Sequence, residues 1–89
     1  MPIRFHVFII GQVQKVGFRY ATKLKAHALH IAGWVKNRDD GTVEAVFEGE
    51  KDTVENMIHW CYSGSPGNVE SVKHIEEKAE GLKEFEIKY

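Results

Sequence analysis

A chain of 89 residues with a formal net charge of −1 has room for one hydrophobic core, and is too nearly neutral to hold a nucleic acid by neutralising many phosphates. Its 43% hydrophobic and 28% charged content is that of an ordered globular chain; no apolar run approaches the ~20 residues of a membrane span, and Met1-Pro2-Ile3-Arg4 lacks a signal-peptide pattern. Cys61 is the only cysteine, so no internal disulfide can form and a reducing, cytoplasmic compartment is expected. The expectation is a single domain over residues 1–89, a monomer with no nucleic-acid or membrane partner.

Phe5 to Ile10 is an apolar run rich in β-formers and too short for a helix, so it predicts a central strand ending at Gly11. The segment Gly11-Gln12-Val13-Gln14-Lys15-Val16-Gly17 leads from it into a helical pattern beginning at Phe18. A loop that enters a helix N-terminus presents backbone N–H groups that the helix cannot use, and the helix macrodipole adds partial positive charge there. Arg19, in the first turn, can fold back over the same spot. Its guanidinium is a planar fork that matches two oxygens of a phosphate at once. The pattern predicts a phosphate-sized ligand.

From Phe18 to Leu29, Phe18, Ala21, Leu24, Ala28 and Leu29 recur at helical spacing, which predicts an amphipathic helix with that stripe inward. Ile31 to Lys36 reads as a second strand. Asn37-Arg38-Asp39-Asp40-Gly41 is a hairpin signal, with Asp40-Gly41 tolerating positive φ. Thr42 to Glu48 alternates, Val43, Ala45 and Phe47 on one side against Thr42, Glu44, Val46 and Glu48, and predicts a third strand. Asp52 with Glu55 three residues later forms a capping-box-like start to a second helix, whose stripe is Val54, Met57, Ile58, Cys61 and Tyr62. Ser63 to Asn68 ends it. Val69 to Lys78 predicts a fourth strand, and Phe85 to Tyr89 a short terminal strand or its continuation. Strand, helix, strand, strand, helix, strand is the α+β, ferredoxin-like order, an antiparallel sheet with both helices on one face.

GQVQKVGFR, residues 11–19, and GWVKNRDDGTVEAVFEG, residues 33–49, together resemble the two signature regions of the acylphosphatase family. Gly11, Val13, Gln14, Val16, Phe18 and Arg19 match the first, and Lys15 stands where the family usually has glycine. Gly33, Trp34, Val35, Lys36, Asn37, Gly41, Val43 and Gly49 match the second. The resemblance implies a small ferredoxin-like hydrolase that cleaves acyl phosphates to a carboxylate and inorganic phosphate, with no metal and no organic cofactor. It implies that Arg19 binds the phosphate, that the loop Gln12, Val13, Gln14, Lys15, Val16 and Gly17 supplies backbone N–H groups, and that Asn37 orients the attacking water. Gly11 and Gly41 support the backbone. A side chain at Lys15 would be strained if it must hold positive φ. It could reshape the cradle into a non-catalytic anion-binding module, the alternative reading, or keep the loop and add a cation near the phosphate.

The remaining chemistry-bearing residues read as structural. His27 and His30 lie at i, i+3 with no third metal ligand evident, and His6, His59 and His74 are isolated. Cys61 falls on the apolar stripe of the second helix as a buried thiol. Trp34 and Trp60 read as packing residues, although Trp34 could border the site near Asn37. Asp39-Asp40 and Glu76-Glu77 read as solvated charges. Gly17 is followed by Phe18 rather than Lys-Ser or Lys-Thr, so no Walker-type loop is present.

Overall fold

The computed structural model describes residues 2–89, which form β1 (Ile3–Gln12), α1 (Phe18–Ala28), β2 (Ala32–Asn37), β3 (Val43–Gly49), α2 (Lys51–Ser63), β4 (Asn68–Glu77) and β5 (Phe85–Lys88). The strands make one sheet in the order β4-β1-β3-β2-β5. All neighbours are antiparallel except β2 and β5, which run parallel at one edge. The ferredoxin-like arrangement expected of the sequence is present, and its terminal segment is a separate fifth strand rather than a continuation of the fourth. α1 packs on β2 and β5, and α2 on β1, β3 and β4. One sheet face therefore carries both helices.

Period-two patterning explains which face they cover. Val7 and Ile9 of β1, Val35 of β2, and Val43, Ala45 and Phe47 of β3 meet Val54, Met57, Ile58 and Cys61 of α2 in one core. Each large side chain so buried contributes about 1.5–3 kcal/mol. The rings of Phe18 and Trp60 approach to 6.2 Å, where the two helices meet.

Four expectations need correction. The buried stripe of α1 is Phe18, Thr22 and Ala26, while Leu24 is half exposed at 52%. Thr22 tolerates burial because its hydroxyl donates to the Phe18 carbonyl oxygen at 2.7 Å. α2 starts at Lys51 with Glu50 in the N-cap position and no side-chain cap bond, so Asp52 lies in the first turn and does not cap. Tyr62 is exposed and its hydroxyl accepts from the Val72 N–H. Finally, β1 does not stop at Gly11. A bulge between Ile10 and Gly11 lets it continue to pair with Asn68 and Val69 of β4. At Gly11, φ is 140° and a Cβ would overlap the Asn68 carbonyl oxygen, so only glycine passes here.

The helix-free face is polar and paired. Arg4, buried on β1, donates to Glu48 Oε2 at 2.9 Å and to Glu77 Oε1 at 3.0 Å. Glu48, 4% exposed, also accepts the backbone N–H groups of Glu80, Gly81 and Leu82 at 2.9, 3.2 and 3.1 Å. Burial alone would raise its pKa, but those amides and Arg4 outweigh burial and hold the carboxyl below its ordinary value. The carboxylate thus anchors the connection that carries the chain from β4, at one edge, to β5 at the other. His6 is not isolated, nor is Glu77 simply solvated: the imidazole nitrogens lie 2.6 Å from Glu44 Oε2 and 3.1 Å from Glu77 Oε2.

Candidate active site

β1, β2 and β5 run in the same direction, so their C-terminal ends converge beside the start of α1. A pocket of about 230 Å³ opens there, lined by Val13, Lys15, Gly17, Phe18, Arg19, Tyr20, Asn37, Ile87 and Tyr89. The loop after β1 and the last residue of β2, separate in sequence, are its two polar walls.

The loop is shaped to leave donors free. Gly17 sits at the N-cap position in the left-handed region, φ 80°, which turns the chain into α1 without a capping side chain. The first backbone bond of the helix runs from the Ala21 N–H to the Gly17 carbonyl at 3.0 Å. The amides of Phe18, Arg19 and Tyr20 therefore precede the helical ladder. Those from Gln14 to Gly17 donate to no acceptor among the described residues. Lys15 has φ 65°, a conformation that costs an L-residue about 1–2 kcal/mol. Lys15 thus holds a conformation that glycine adopts without strain, and brings a cationic side chain to the pocket.

Arg19 lines the pocket with its guanidinium 5.0 Å from the centre of the Tyr89 ring. No carboxylate among the described residues lies within ion-pair distance of it, so its donor fork remains available. Asn37 ends β2 opposite Val43. Its Oδ1 is buried and has no hydrogen-bond partner. A buried unpaired acceptor is costly, about 1–3 kcal/mol, and is an exception in a folded chain.

The expected site residues do not all share this pocket. Lys15, Gly17, Val13, Arg19 and Asn37 line it, whereas Gln12, Gln14 and Val16 do not. Gln12 stays in the ladder opposite Asn68. Gln14 has a role that the sequence did not reveal: its side-chain Nε2 donates to the carbonyl oxygens of Arg38 and Thr42 at 2.8 and 2.9 Å. This clamps the loop to the β2–β3 hairpin and so couples the Arg19 side of the pocket to Asn37. Gly41, φ 90°, makes the hairpin turn, closed by Arg38 N–H to Thr42 O at 2.9 Å. Asp40 is not merely solvated, since it accepts from the Thr42 amide and hydroxyl at 3.0 and 2.6 Å. Trp34 does not border the site. It lies on the helix-free face, edge-on to His6 and beneath Lys36 and Lys88.

A larger groove, about 690 Å³, lies at the opposite end of the sheet and includes His27, His30, Lys83 and Glu48. Its one buried carboxylate is already saturated by Arg4 and three amides. Cys61 is buried under α2 and its thiol is pushed up to about 12 by that burial, which excludes it as a nucleophile near neutral pH.

The family model described as Acylphosphatase matches residues 5–87. The chain belongs to the acylphosphatase family. An acylphosphatase of Trichormus variabilis is 53% identical over 87 residues, spanning 97% of this chain and 86% of the relative. A crystal structure of an acylphosphatase from Bacillus subtilis and a structure of one from Coxiella burnetii superpose with a TM-score of 0.93 each, at 37% and 34% identity, over 98% of this chain and 99% and 93% of theirs. The family's reaction is that of this chain: hydrolysis of the carboxyl–phosphate bond of an acyl phosphate to a carboxylate and inorganic phosphate. The pocket lined by Arg19 and Asn37 is the candidate place for the phosphoryl group and the water of that reaction.

Proposed function

We propose that this acylphosphatase acts through Arg19, the loop amides and Asn37, without a metal or cofactor. An acyl phosphate is a mixed anhydride whose carboxylate leaves readily, so the site has little acid catalysis to supply and works by positioning and charge stabilisation. Phosphoryl transfer concentrates negative charge on the equatorial oxygens of a loose transition state. Preorganised amides of the loop Gln14 to Gly17 and the Arg19 fork meet those oxygens without reorganising. Asn37 cannot take a proton near neutral pH, but its amide both donates and accepts, which places a water in line with the phosphorus. The water's proton passes to a phosphate oxygen of the substrate.

The observation that carries this reading is that Arg19, with no carboxylate at ion-pair distance among the described residues, and Asn37 line one pocket at the unpaired loop amides. The positive φ of Lys15 supports catalysis over the binding-only alternative, because it is a backbone conformation that glycine adopts without strain. A cytoplasmic monomer that binds neither nucleic acid nor membrane is part of the same reading, supported by the near-neutral charge and the lone thiol. Hydrolysis of benzoyl phosphate with chelator present is the test. Wild type is expected to turn over, and Arg19→Ala and Asn37→Ala to lose activity while keeping their circular dichroism spectrum. Phosphate binding by wild type without turnover would establish the binding module instead.

A further inference from the structure

We infer that Lys15 makes this site favour acyl phosphates whose acyl part carries a second negative charge, an inference that rests on the hydrolytic reading above. Two cationic side chains, Lys15 and Arg19, line the pocket and no Asp or Glu side chain does. The nearest hairpin carboxylates, Asp39 and Asp40, line a separate cavity beyond Asn37 together with Lys36, Arg38 and Glu44. Asp40 is engaged there by Thr42 and lies 4.0 Å from the Arg38 guanidinium. Among the described residues no carboxylate lies within ion-pair distance of the Lys15 ammonium.

The phosphoryl group is already served by Arg19 and by the free amides of the loop and the first turn of α1. The charge on Lys15 is additional. It sits on an exposed residue held in the left-handed region, where a glycine would fit without strain and would bring no charge. The rest of the rim, Tyr20, Ile87 and Tyr89, is apolar or aromatic, a surface suited to a hydrocarbon spacer between the reacting phosphate and a distal anion. A carboxylate or phosphate at the far end of the acyl group would meet Lys15 across solvent-exposed space, where opposite charges attract modestly and the attraction is screened by salt.

Benzoyl phosphate and 4-carboxybenzoyl phosphate are rigid, close in shape and different by one charge. Their kcat/KM values should be compared for wild type, Lys15→Gln and Lys15→Arg at about 20 and about 300 mM salt. Taking the ratio of the two substrates within each protein, and then between proteins, cancels their intrinsic reactivities. The ratio is expected to favour the carboxylated substrate about three- to fivefold more in wild type than in Lys15→Gln at low salt. That excess should shrink at high salt and be retained by Lys15→Arg. A ratio equal in wild type and Lys15→Gln would overturn the proposal, and would mean that Lys15 acts on the transferring phosphate alone. If wild type hydrolysed neither compound, the hydrolytic reading would fall, and the proposal with it.

Discussion

Two nests of backbone amides lie at opposite ends of the sheet, each with an arginine, and they differ in where their anion comes from. At one end the N–H groups of Glu80, Gly81 and Leu82 converge with Arg4 on the carboxylate of Glu48. At the other, the amides leading into α1 share a pocket with Arg19 and meet no Asp or Glu side chain. The chemistry of recognition is the same. The first nest is satisfied by a buried side chain and holds a connection in place, whereas the second leaves its donors unpaired, as the proposed phosphate site requires. An amide nest and an arginine therefore signal an anion, and only the presence or absence of an internal carboxylate separates architecture from catalysis.

The sharpest way to break this comparison is to remove each arginine or anion in turn. Arg19→Ala should lower kcat by about 10³-fold or more, the range for an arginine that stabilises phosphoryl-transfer charge, with the urea midpoint nearly unchanged. Glu48→Ala should behave oppositely. It removes the buried partner of Arg4, leaving it Glu77 and Glu80, and unpairs three amides, and is expected to destabilise the fold by about 3–5 kcal/mol in urea titrations. Gln14→Ala falls between the two cases. Loss of two hydrogen bonds to carbonyls should cost about 1–3 kcal/mol, and because the clamp couples the loop to Asn37, kcat should fall with it. An unchanged kcat in a destabilised Gln14→Ala protein would reduce the clamp to a purely structural role.

Acid offers a milder probe of the filled nest. The Glu48 carboxyl titrates below its ordinary 4.5 when folded, so its stabilisation is complete above that value and is lost as pH falls through the lowered folded one. The stability gap between wild type and Glu48→Gln should accordingly narrow below about pH 4.5. Urea midpoints at pH 7, 5 and 3 would show it.

Much of this architecture was legible because local pattern and tertiary role agree. The β1 run from Phe5 to Ile10, the hairpin at Gly41 and the α2 stripe from Val54 to Cys61 each declare themselves by periodicity or turn chemistry. The α1 stripe was misread because Thr22 hides its hydroxyl on its own helix, whereas Leu24 stays in water, and polarity alone ranks them the other way. The bulge at Gly11 was taken for a strand end, since a glycine marks both. What the sequence concealed was long-range partnership. His6 finds Glu44 and Glu77 at separations of 38 and 71 residues, and the Gln14 amide reaches carbonyls 24 and 28 residues away. Arg19 and the loop could be inferred from a strand running into a helix. Asn37 could not be found this way, because an Asn before a turn needs no further reason to be there, and only the second signature singled it out.

The place of β1 also sets a timetable for the ribosome. This strand is made first, yet one of its two neighbours, β4, begins only at Asn68, and Arg4 meets Glu77 across 73 positions. Pairings so distant slow folding, since a long loop must close before the contacts reward it. At about 5–20 residues per second, a nascent chain that has completed β3 waits about one to four seconds before β4 starts to emerge. During that interval β1 can pair with β3 but has a bare edge on its other side, open to any extended chain nearby.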